Sequence, residues 1–348
     1  MMPLPALAAA AGARVAARLM RRRDYPANYT NDLALEGLLR FGAASKSQEP
    51  IEFVRAVLTQ FRGWKPADGL TWRSNPFTFI HLSYAQFSGE RAWLDGWVED
   101  ARACLKDVPR DAAGGACFVH RPWTGRIFVD MLQAYAVRMA AAGKLSGDGA
   151  FFDEAAAQYK HQRDALRDPE TGLWSQGRGW GPGADFIAPL AWLRGQGWVI
   201  RGMVECLALT PPEHPAAGIL RELLHEFSRD LLRLQDARGM WHQVPHRADS
   251  YPETTGTGLI THYLLRAAAA GFLPADPYRT AGERALAALC GFVTRDGTVL
   301  NGSFGCGPLL NVADYLYRPA PPGDAHTAGT TLLACSAAAE DGVLGFRF

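Results

Sequence analysis

Segments of small and apolar residues with helical spacing recur along the whole chain, and this repetition limits the fold more than any other feature. Apolar side chains return every three or four residues, as at Leu33, Leu35, Leu38 and Leu39, whereas strand patterns are sparse. Each segment is paired with a more polar helix. Six inner and six outer helices would close a ring, so we predict an all-α barrel of six helical hairpins. The inner segments lie near residues 32–43, 76–88, 127–142, 197–209, 257–271 and 327–339.

Long connections rich in glycine, proline and aromatic residues precede five of these inner segments. Loops of such length are uncommon in compact domains unless they are functional. Because each one enters an inner helix, we expect them to meet at one mouth of the ring and to form a cleft with several of the ten tryptophans. An open helical solenoid is the alternative, but irregular repeat lengths favour closure. The connections are residues 62–75, 108–126, 168–196, 236–256 and 292–326.

Composition narrows the possible partners. The chain has 36 Lys and Arg against 35 Asp and Glu, so no net field favours nucleic acid or an anionic membrane, and an anionic ligand must be bound locally. The six cysteines are scattered without metal-ligand spacing, and we expect neither metal nor organic cofactor. Hydrophobic content of 48% suits one large domain over residues 1–348, although two domains remain possible on length alone. We expect a monomer or homodimer.

The Ala-rich residues 1–20 resemble a signal peptide only superficially. No basic residue precedes the apolar run, and Arg14 and Arg18 interrupt it. No stretch approaches the roughly 20 apolar residues that span a bilayer. We therefore predict an N-terminal helix in a cytoplasmic protein.

Asp130 is the first candidate for chemistry, because it stands in the otherwise apolar stretch from Ile127 to Leu132 that opens an inner helix. Burial would raise the pKa of its carboxyl and keep it a proton donor near neutral pH. The alternative is a helix cap or an ion pair with Arg126.

A second candidate is the run from Trp192 to Trp198, which combines two glycines with Arg194 and two tryptophans. The arginine can bind a carboxylate with two hydrogen bonds, and the rings can stack on a sugar. A tight turn with core tryptophans is the alternative. The spacing does not fit a phosphate-binding glycine loop.

Three further segments are weaker candidates. Glu253 and Thr254 precede the fifth inner helix, where capping is the default interpretation. His242 beside Trp241 is more often a structural histidine than a catalyst. The loop around Ser303, from Gly302 to Gly307, could offer backbone amides to an anion or could be a flexible linker. No serine-hydrolase elbow accompanies it.

Taken together, three ordered motifs make the chain resemble glycoside hydrolase families 88 and 105, which contain unsaturated glucuronyl and rhamnogalacturonyl hydrolases, and it is more similar to family 105. The motifs are Asp168–Leu173, Trp192–Trp198 and the run from Leu234 through Trp241 to Gly256, within a resemblance that covers about Ala16 to Glu340. The resemblance implies an (α/α)6 barrel. It also implies that Asp130, which follows Phe128 and Val129, is the catalytic aspartic acid.

The reaction implied by this resemblance is the hydration of a 4,5-unsaturated uronic acid at the non-reducing end of an oligosaccharide. One aspartic acid protonates C4 of the vinyl ether, water adds at C5, and the hemiketal opens and releases the remaining sugar. Arg194 or polar atoms around Ser303 would bind the sugar carboxylate. The other implied substrate-binding residues are Trp174, Trp192, Gln196, Trp198, Trp241, His242, Glu253, Thr254 and Arg73.

The chain departs from the family pattern at two places. A second aspartate normally precedes an Asn at the second inner helix, where this chain has Arg73 and Ser74. A histidine-containing segment normally follows the Asp168–Leu173 motif, where this chain has Trp174 to Trp180 with Arg178. The two arginines suggest a more anionic sugar, and loss of activity is another hypothesis.

Two rival functions remain open. One is a glycosidase or isomerase acting on a saturated sugar, which would need a second titratable group from Glu253, His242, Asp185 or His326. The other is a carbohydrate-binding relative without catalytic activity.

Overall fold

The computed structural model describes residues 2–26, 28–60, 78–117 and 125–337. Within these ranges the chain is almost entirely helical, with a single pair of two-residue strands. In chain order the elements are α1 (Leu4–Met20), α2 (Tyr29–Ser45), α3 (Gln48–Gln60), α4 (Thr78–Ser88), a 3-10 turn (Arg91–Leu94), α5 (Trp97–Asp107), β1 (Ile127–Phe128), α6 (Val129–Ser146), α7 (Ala150–Leu166), β2 (Gly177–Arg178), α8 (Leu193–Leu209), α9 (Pro215–Leu232), α10 (Thr254–Ala269), α11 (Ala275–Cys290), α12 (Val312–Leu316) and α13 (Ala325–Ala337).

Six helices form the inner ring, and each contacts the next in the order α2, α4, α6, α8, α10, α13 and back to α2. Helices α3, α7, α9 and α11 each follow an inner helix and pack against it, and α5 packs against α6. The outer partner of α13 is α1, from the opposite end of the sequence. All six predicted inner segments are therefore helices of a closed ring, and the predicted (α/α)6 barrel is confirmed.

Burial follows the sequence pattern that distinguishes inner from outer helices. Helix α8 is buried on every face along nearly its whole length, as its continuous run of apolar and small residues requires. Helix α9 buries only one stripe, which includes Leu220, Leu224, Phe227 and Leu231 at three- and four-residue spacing. The outer helices thus cover the ring and present their polar faces to solvent.

Glycines let neighbouring inner helices approach at backbone distance. A Cβ atom at Gly329 of α13 would lie 2.6 Å from the carbonyl oxygen of Leu33 in α2, and one at Gly37 would lie 2.6 Å from the carbonyl oxygen of Gly329. No side chain fits at these distances, which explains why the inner segments are rich in small residues.

The interior of the ring contains a buried ion network. Glu36 of α2 accepts hydrogen bonds from Arg40 at 3.0 Å and from Arg201 of α8 at 2.6 Å. Glu205, one turn further along α8, pairs with Arg40 at 3.3 Å and with Arg266 of α10. These pairs join three inner helices across the interior. They lie at least two helical turns, roughly 10 Å, deeper than the first residues of α8.

The connections that enter the inner helices meet at one end of the ring, as predicted for those that are described. The backbone N–H of Val129 donates to the carbonyl of Gln176 at 3.1 Å, and that of Leu193 donates to the carbonyl of Gln243 at 3.0 Å. No helix in the described ranges is long and apolar enough to cross a membrane.

Candidate active site

Asp130 is placed at the mouth of the ring by a strand pair that leads directly into α6. Ile127 and Phe128 of β1 pair antiparallel with Arg178 and Gly177 of β2. Phe128 has an extended backbone, and the helix begins at Val129, so Asp130 lies in its first turn. Its Oδ2 atom is shielded from solvent and has no hydrogen-bond partner among the described residues. This atom therefore has hydrogen-bonding capacity that no described residue uses.

Burial raises the pKa of Asp130 from 3.8 to about 7, even though the Arg194 guanidinium and the Trp198 side chain both act to lower it. A carboxyl group with that pKa is partly protonated at neutral pH. It can donate a proton in one step and accept one in the next. The guanidinium of Arg126, the ion-pair partner considered for Asp130, lies 5.4 Å over the ring of Trp180.

Arg194 and Trp198 lie one turn apart at the start of α8, both buried beside Asp130. The guanidinium of Arg194 stacks 4.4 Å over the ring of Trp192, and its Nη1 donates to the carbonyl oxygen of Ser303 at 2.7 Å. The Trp192 indole in turn donates to Ser303 Oγ at 3.2 Å. The predicted Trp192–Trp198 cluster and the Ser303 loop thus meet next to the predicted catalytic acid.

His326, near the start of α13, completes this group of side chains. Its Nδ1 lies 3.3 Å from Arg194 Nη1, and its ring makes edge contacts with Trp198 at 5.4 Å and with Tyr29 at 5.8 Å. Burial, together with Arg194 and Arg201, holds the pKa of His326 well below its usual range. The imidazole is therefore neutral at physiological pH.

Glu253 serves as a cap, as the default interpretation predicts. Its Oε1 accepts the backbone N–H groups of Thr255 at 2.7 Å and Ser303 at 2.9 Å, and its Oε2 accepts that of Gly256 at 2.7 Å. The fully buried carboxylate thus caps the first turn of α10 and binds the backbone of the Ser303 loop. Thr254 is also buried, and its hydroxyl donates to the carbonyl oxygen of Leu300 at 2.8 Å.

Four of the predicted substrate-binding residues are instead engaged in the scaffold. Trp174 and Trp241 are 1% and 0% exposed, and the ring of Trp174 makes an edge contact with Phe227 in the core. The indole of Trp241 donates to the carbonyl oxygen of Leu231 at the end of α9. Gln196 bonds both backbone groups of Trp174, and His242 lies 2.6 Å from the carbonyl oxygen of Ser250. We assign these four to positioning the loops.

Arg178 is one of the two arginines at which the chain departs from the family pattern. It does not add a free positive charge to the cleft. Its Nη2 lies 2.5 Å from Asp111 Oδ2, which also contacts His161 at 3.0 Å. The positive charge inferred at Arg178 is therefore balanced by a carboxylate. Arg73 lies outside the described residues. Asp185, a candidate for a second titratable group, is exposed in the loop that follows β2.

Sequence reasoning missed two features that support the site. Tyr29, at the start of α2, lies against His326 at the mouth. Gln176 donates to the carbonyl oxygen of Cys306 at 3.1 Å and accepts from the Tyr315 hydroxyl at 2.6 Å, so it ties the Ser303 loop to the strand pair before Asp130. The signal that could have identified Gln176 is its position directly before β2. Among the described residues, no group of His, Cys, Asp or Glu side chains could hold a metal ion.

Residues 17–340 match the sequence family described as Glycosyl Hydrolase Family 88, so the chain belongs to that family and is a glycoside hydrolase. This confirms the resemblance found in the sequence. The chain is 25% identical over 307 residues to the unsaturated rhamnogalacturonyl hydrolase YesR of Bacillus subtilis (strain 168), and the match covers 85% of each protein. An unsaturated 3S-rhamnoglycuronyl hydrolase of Alteromonas sp. (strain LOR) is 28% identical over 159 residues, which is 45% of this chain and 38% of that protein.

Solved structures share the fold. A family 105 glycoside hydrolase from C. acetobutylicum ATCC 824 superposes with a TM-score of 0.81 at 19% identity, covering 94% of this chain and 98% of that one. The unsaturated glucuronyl hydrolase of Bacillus sp. GL1 gives a TM-score of 0.68 at 17% identity, covering 98% of each.

Proposed function

We propose that this glycoside hydrolase removes a 4,5-unsaturated uronic acid from the non-reducing end of the oligosaccharides that polysaccharide lyases release, with Asp130 as general acid and base. One observation carries the proposal: Asp130 combines an unpartnered, shielded Oδ2 with a pKa of about 7, beside the cation of Arg194. The substrate class is supported by the names of the two relatives from Bacillus subtilis and Alteromonas sp..

The reaction needs one group that changes protonation state twice. Protonated Asp130 gives its proton to C4 of the vinyl ether, which leaves an oxocarbenium ion at C5. Water adds at C5 while the Asp130 carboxylate accepts the proton from that water, so the acid is regenerated. The resulting hemiketal opens, and the remaining sugar leaves with its oxygen. A pKa near 7 suits both steps, since neither protonation state is strongly disfavoured at neutral pH.

The surroundings of Asp130 favour this single-carboxyl route over the two-carboxylate chemistry of ordinary glycosidases. Glu253, a carboxylate candidate for the second role, is committed to three backbone N–H groups and the Thr255 hydroxyl. Asp185 is exposed in its loop. The imidazole of His326 is neutral, so it has no acidic proton to donate as a second general acid would.

We assign Arg194 to binding the sugar carboxylate and Trp198 to the wall of the site. Arg194 is held in place by Trp192 and Ser303, so little conformational entropy is lost when it binds an anion. The substrate is therefore an acidic oligosaccharide. We also propose that residues 1–348 form one catalytic domain, because the ring uses helices from both ends of the described chain.

The test follows the loss of ultraviolet absorbance of the unsaturated uronide, using lyase-generated fragments of pectin, glycosaminoglycan and ulvan. We expect the wild-type protein to consume at least one fragment and Asp130→Asn to lower kcat by about 10²–10⁴-fold or more. Asp185→Asn is the matched control, because it removes an exposed carboxylate from a neighbouring loop and should keep full activity.

Two results would contradict the proposal in different ways. Activity retained by Asp130→Asn with a normal circular dichroism spectrum would remove Asp130 from the mechanism. No absorbance loss with any fragment for the wild-type protein would show that the substrate class is wrong.

A further inference from the structure

His326 carries a hydrogen-bond donor that the proposed reaction leaves without a role. Its Nε2 is buried and has no partner among the described residues, and the whole residue is only 1% exposed. A buried polar atom without a partner destabilises the folded protein, so its retention in a site needs an explanation. Asp130 Oδ2, in the same group of side chains, is unpartnered in the same way.

The contact with Arg194 fixes which ring nitrogen of His326 bears the hydrogen. Nδ1 lies 3.3 Å from Arg194 Nη1, and a guanidinium can only donate. Nδ1 is therefore the acceptor, and in the neutral ring the hydrogen is on Nε2. The low pKa of His326 agrees with this assignment, because protonating Nδ1 would break the contact and bring two cations together. Nε2 can thus donate and cannot accept.

The ring of His326 is held by contacts with residues that also surround Asp130. Its backbone N–H donates to Asp324 Oδ1 at 2.5 Å, which caps the start of α13. The Trp198 ring lies 5.4 Å from the imidazole in an edge contact, and its indole also acts to lower the pKa of Asp130. Arg194 likewise contacts His326 Nδ1 and acts to lower the pKa of Asp130. His326 and Asp130 therefore share Arg194 and Trp198 as neighbours.

We propose that His326 Nε2 donates a hydrogen bond to the carboxylate of the bound uronide, so that His326 determines specificity for acidic over neutral sugars. The inference rests on the proposed function and adds a residue to it. A carboxylate is the ligand group that fits, because Nε2 requires an acceptor and the adjacent Arg194 favours a negative one. Only Nη1 of Arg194 is engaged by described residues, which leaves the guanidinium able to contact the same anion.

The experiment compares two variants on two forms of one substrate. His326→Leu removes the donor, whereas His326→Gln keeps an N–H group near the position of Nε2. Each is assayed with the unsaturated fragment that the wild-type protein consumes and with its uronate methyl ester, which has no charged carboxylate. His262→Gln is the matched control: His262 is also buried on an inner helix, but its Nδ1 lies 2.7 Å from the carbonyl oxygen of Leu333, which is about two helical turns beyond His326 in α13.

With the free acid we expect His326→Leu to raise KM on the order of tenfold to a hundredfold with a smaller change in kcat, the range for losing one hydrogen bond to a charged group. His326→Gln should recover much of that loss. With the methyl ester the two His326 variants and the wild type should have similar KM values. The His262→Gln control should not alter the ratio of KM between acid and ester.

Equal rises in KM for acid and ester would overturn the inference and point to a hydroxyl contact or a structural role. An unchanged KM in His326→Leu would also overturn it. If the wild-type protein consumes no unsaturated fragment, the proposed function fails, and titration calorimetry of the acid and ester with Asp130→Asn, with and without His326→Leu, still decides. A preference for the acid that disappears with His326→Leu supports the carboxylate contact, whereas no such preference refutes it.

Discussion

Replacing Asp130 by asparagine should stabilise the protein at alkaline pH and change its stability far less at acidic pH. Burial raises the pKa of this carboxyl to about 7 in the folded protein, whereas an unfolded chain has an aspartate pKa of about 3.9. Between these values the folded state keeps the proton and the unfolded state loses it. The contribution of Asp130 to stability is thus fully present below about pH 4 and is lost as pH rises towards about 7.

The magnitude follows from the two pKa values. A tenfold change in proton affinity corresponds to about 1.4 kcal/mol, so a pKa raised to about 7 costs the wild-type protein roughly 4 kcal/mol once Asp130 is ionised. Between pH 5 and pH 8 we expect about 2–3 kcal/mol of that loss. Asparagine has nearly the same volume and cannot ionise, so the variant should avoid it.

The assay is urea unfolding of wild-type protein and Asp130→Asn at several pH values between 5 and 8. Taking the difference between the two proteins at each pH cancels the other titrating groups. That difference should grow in favour of the variant as pH rises, while the difference for the exposed control Asp185→Asn should stay flat. A constant difference for Asp130→Asn, or one that falls with pH, would refute the raised pKa.

Two further predictions concern the neighbours of Asp130 and the interior of the ring. Trp198→Phe removes the indole N–H that helps to lower the pKa of Asp130, so that pKa should rise further and the alkaline limb of kcat/KM against pH should move upward; an unmoved limb would contradict this role of the indole. Arg201→Met leaves buried Glu36 without its 2.6 Å ion pair and should cost about 3–5 kcal/mol in urea unfolding. The exposed pair of Arg279 is the comparison, and Arg279→Met should cost about 0–1 kcal/mol; equal losses would show that burial of the pair is unimportant.

The inner ring could be predicted from sequence because helix spacing and small residues act locally. A helix that is apolar on all faces must be buried, and glycines such as Gly37 and Gly329 allow the close approach that a ring needs. Asp130 and Arg194 could be found for a related reason, since polar residues at the first turn of buried helices stand at the mouth.

The rest of the site depends on contacts between residues distant in sequence. Trp174 and Trp241 occur in loops rich in aromatic residues, where a ring can line a cleft or fill the core, and only their tertiary neighbours put both in the core. The donor role of His326 depends on Arg194, which is 132 positions away. No spacing rule encodes that pairing, so sequence could offer His326 only as one of several titratable candidates.

The pairing of α1 with α13 governs the order in which the protein can be completed during synthesis. Helices α2 and α3, α6 and α7, α8 and α9, and α10 and α11 are neighbours in sequence, so each of these pairs can form soon after its residues leave the ribosome. Helix α1 is made before α13 and cannot pair with it until residues 325–337 have emerged. The apolar stripe of α1, with Val15 and Leu19, therefore stays uncovered by that partner while the helices between them are made. His326 belongs to α13, so it can join Arg194 and Trp198 only after that helix has been made.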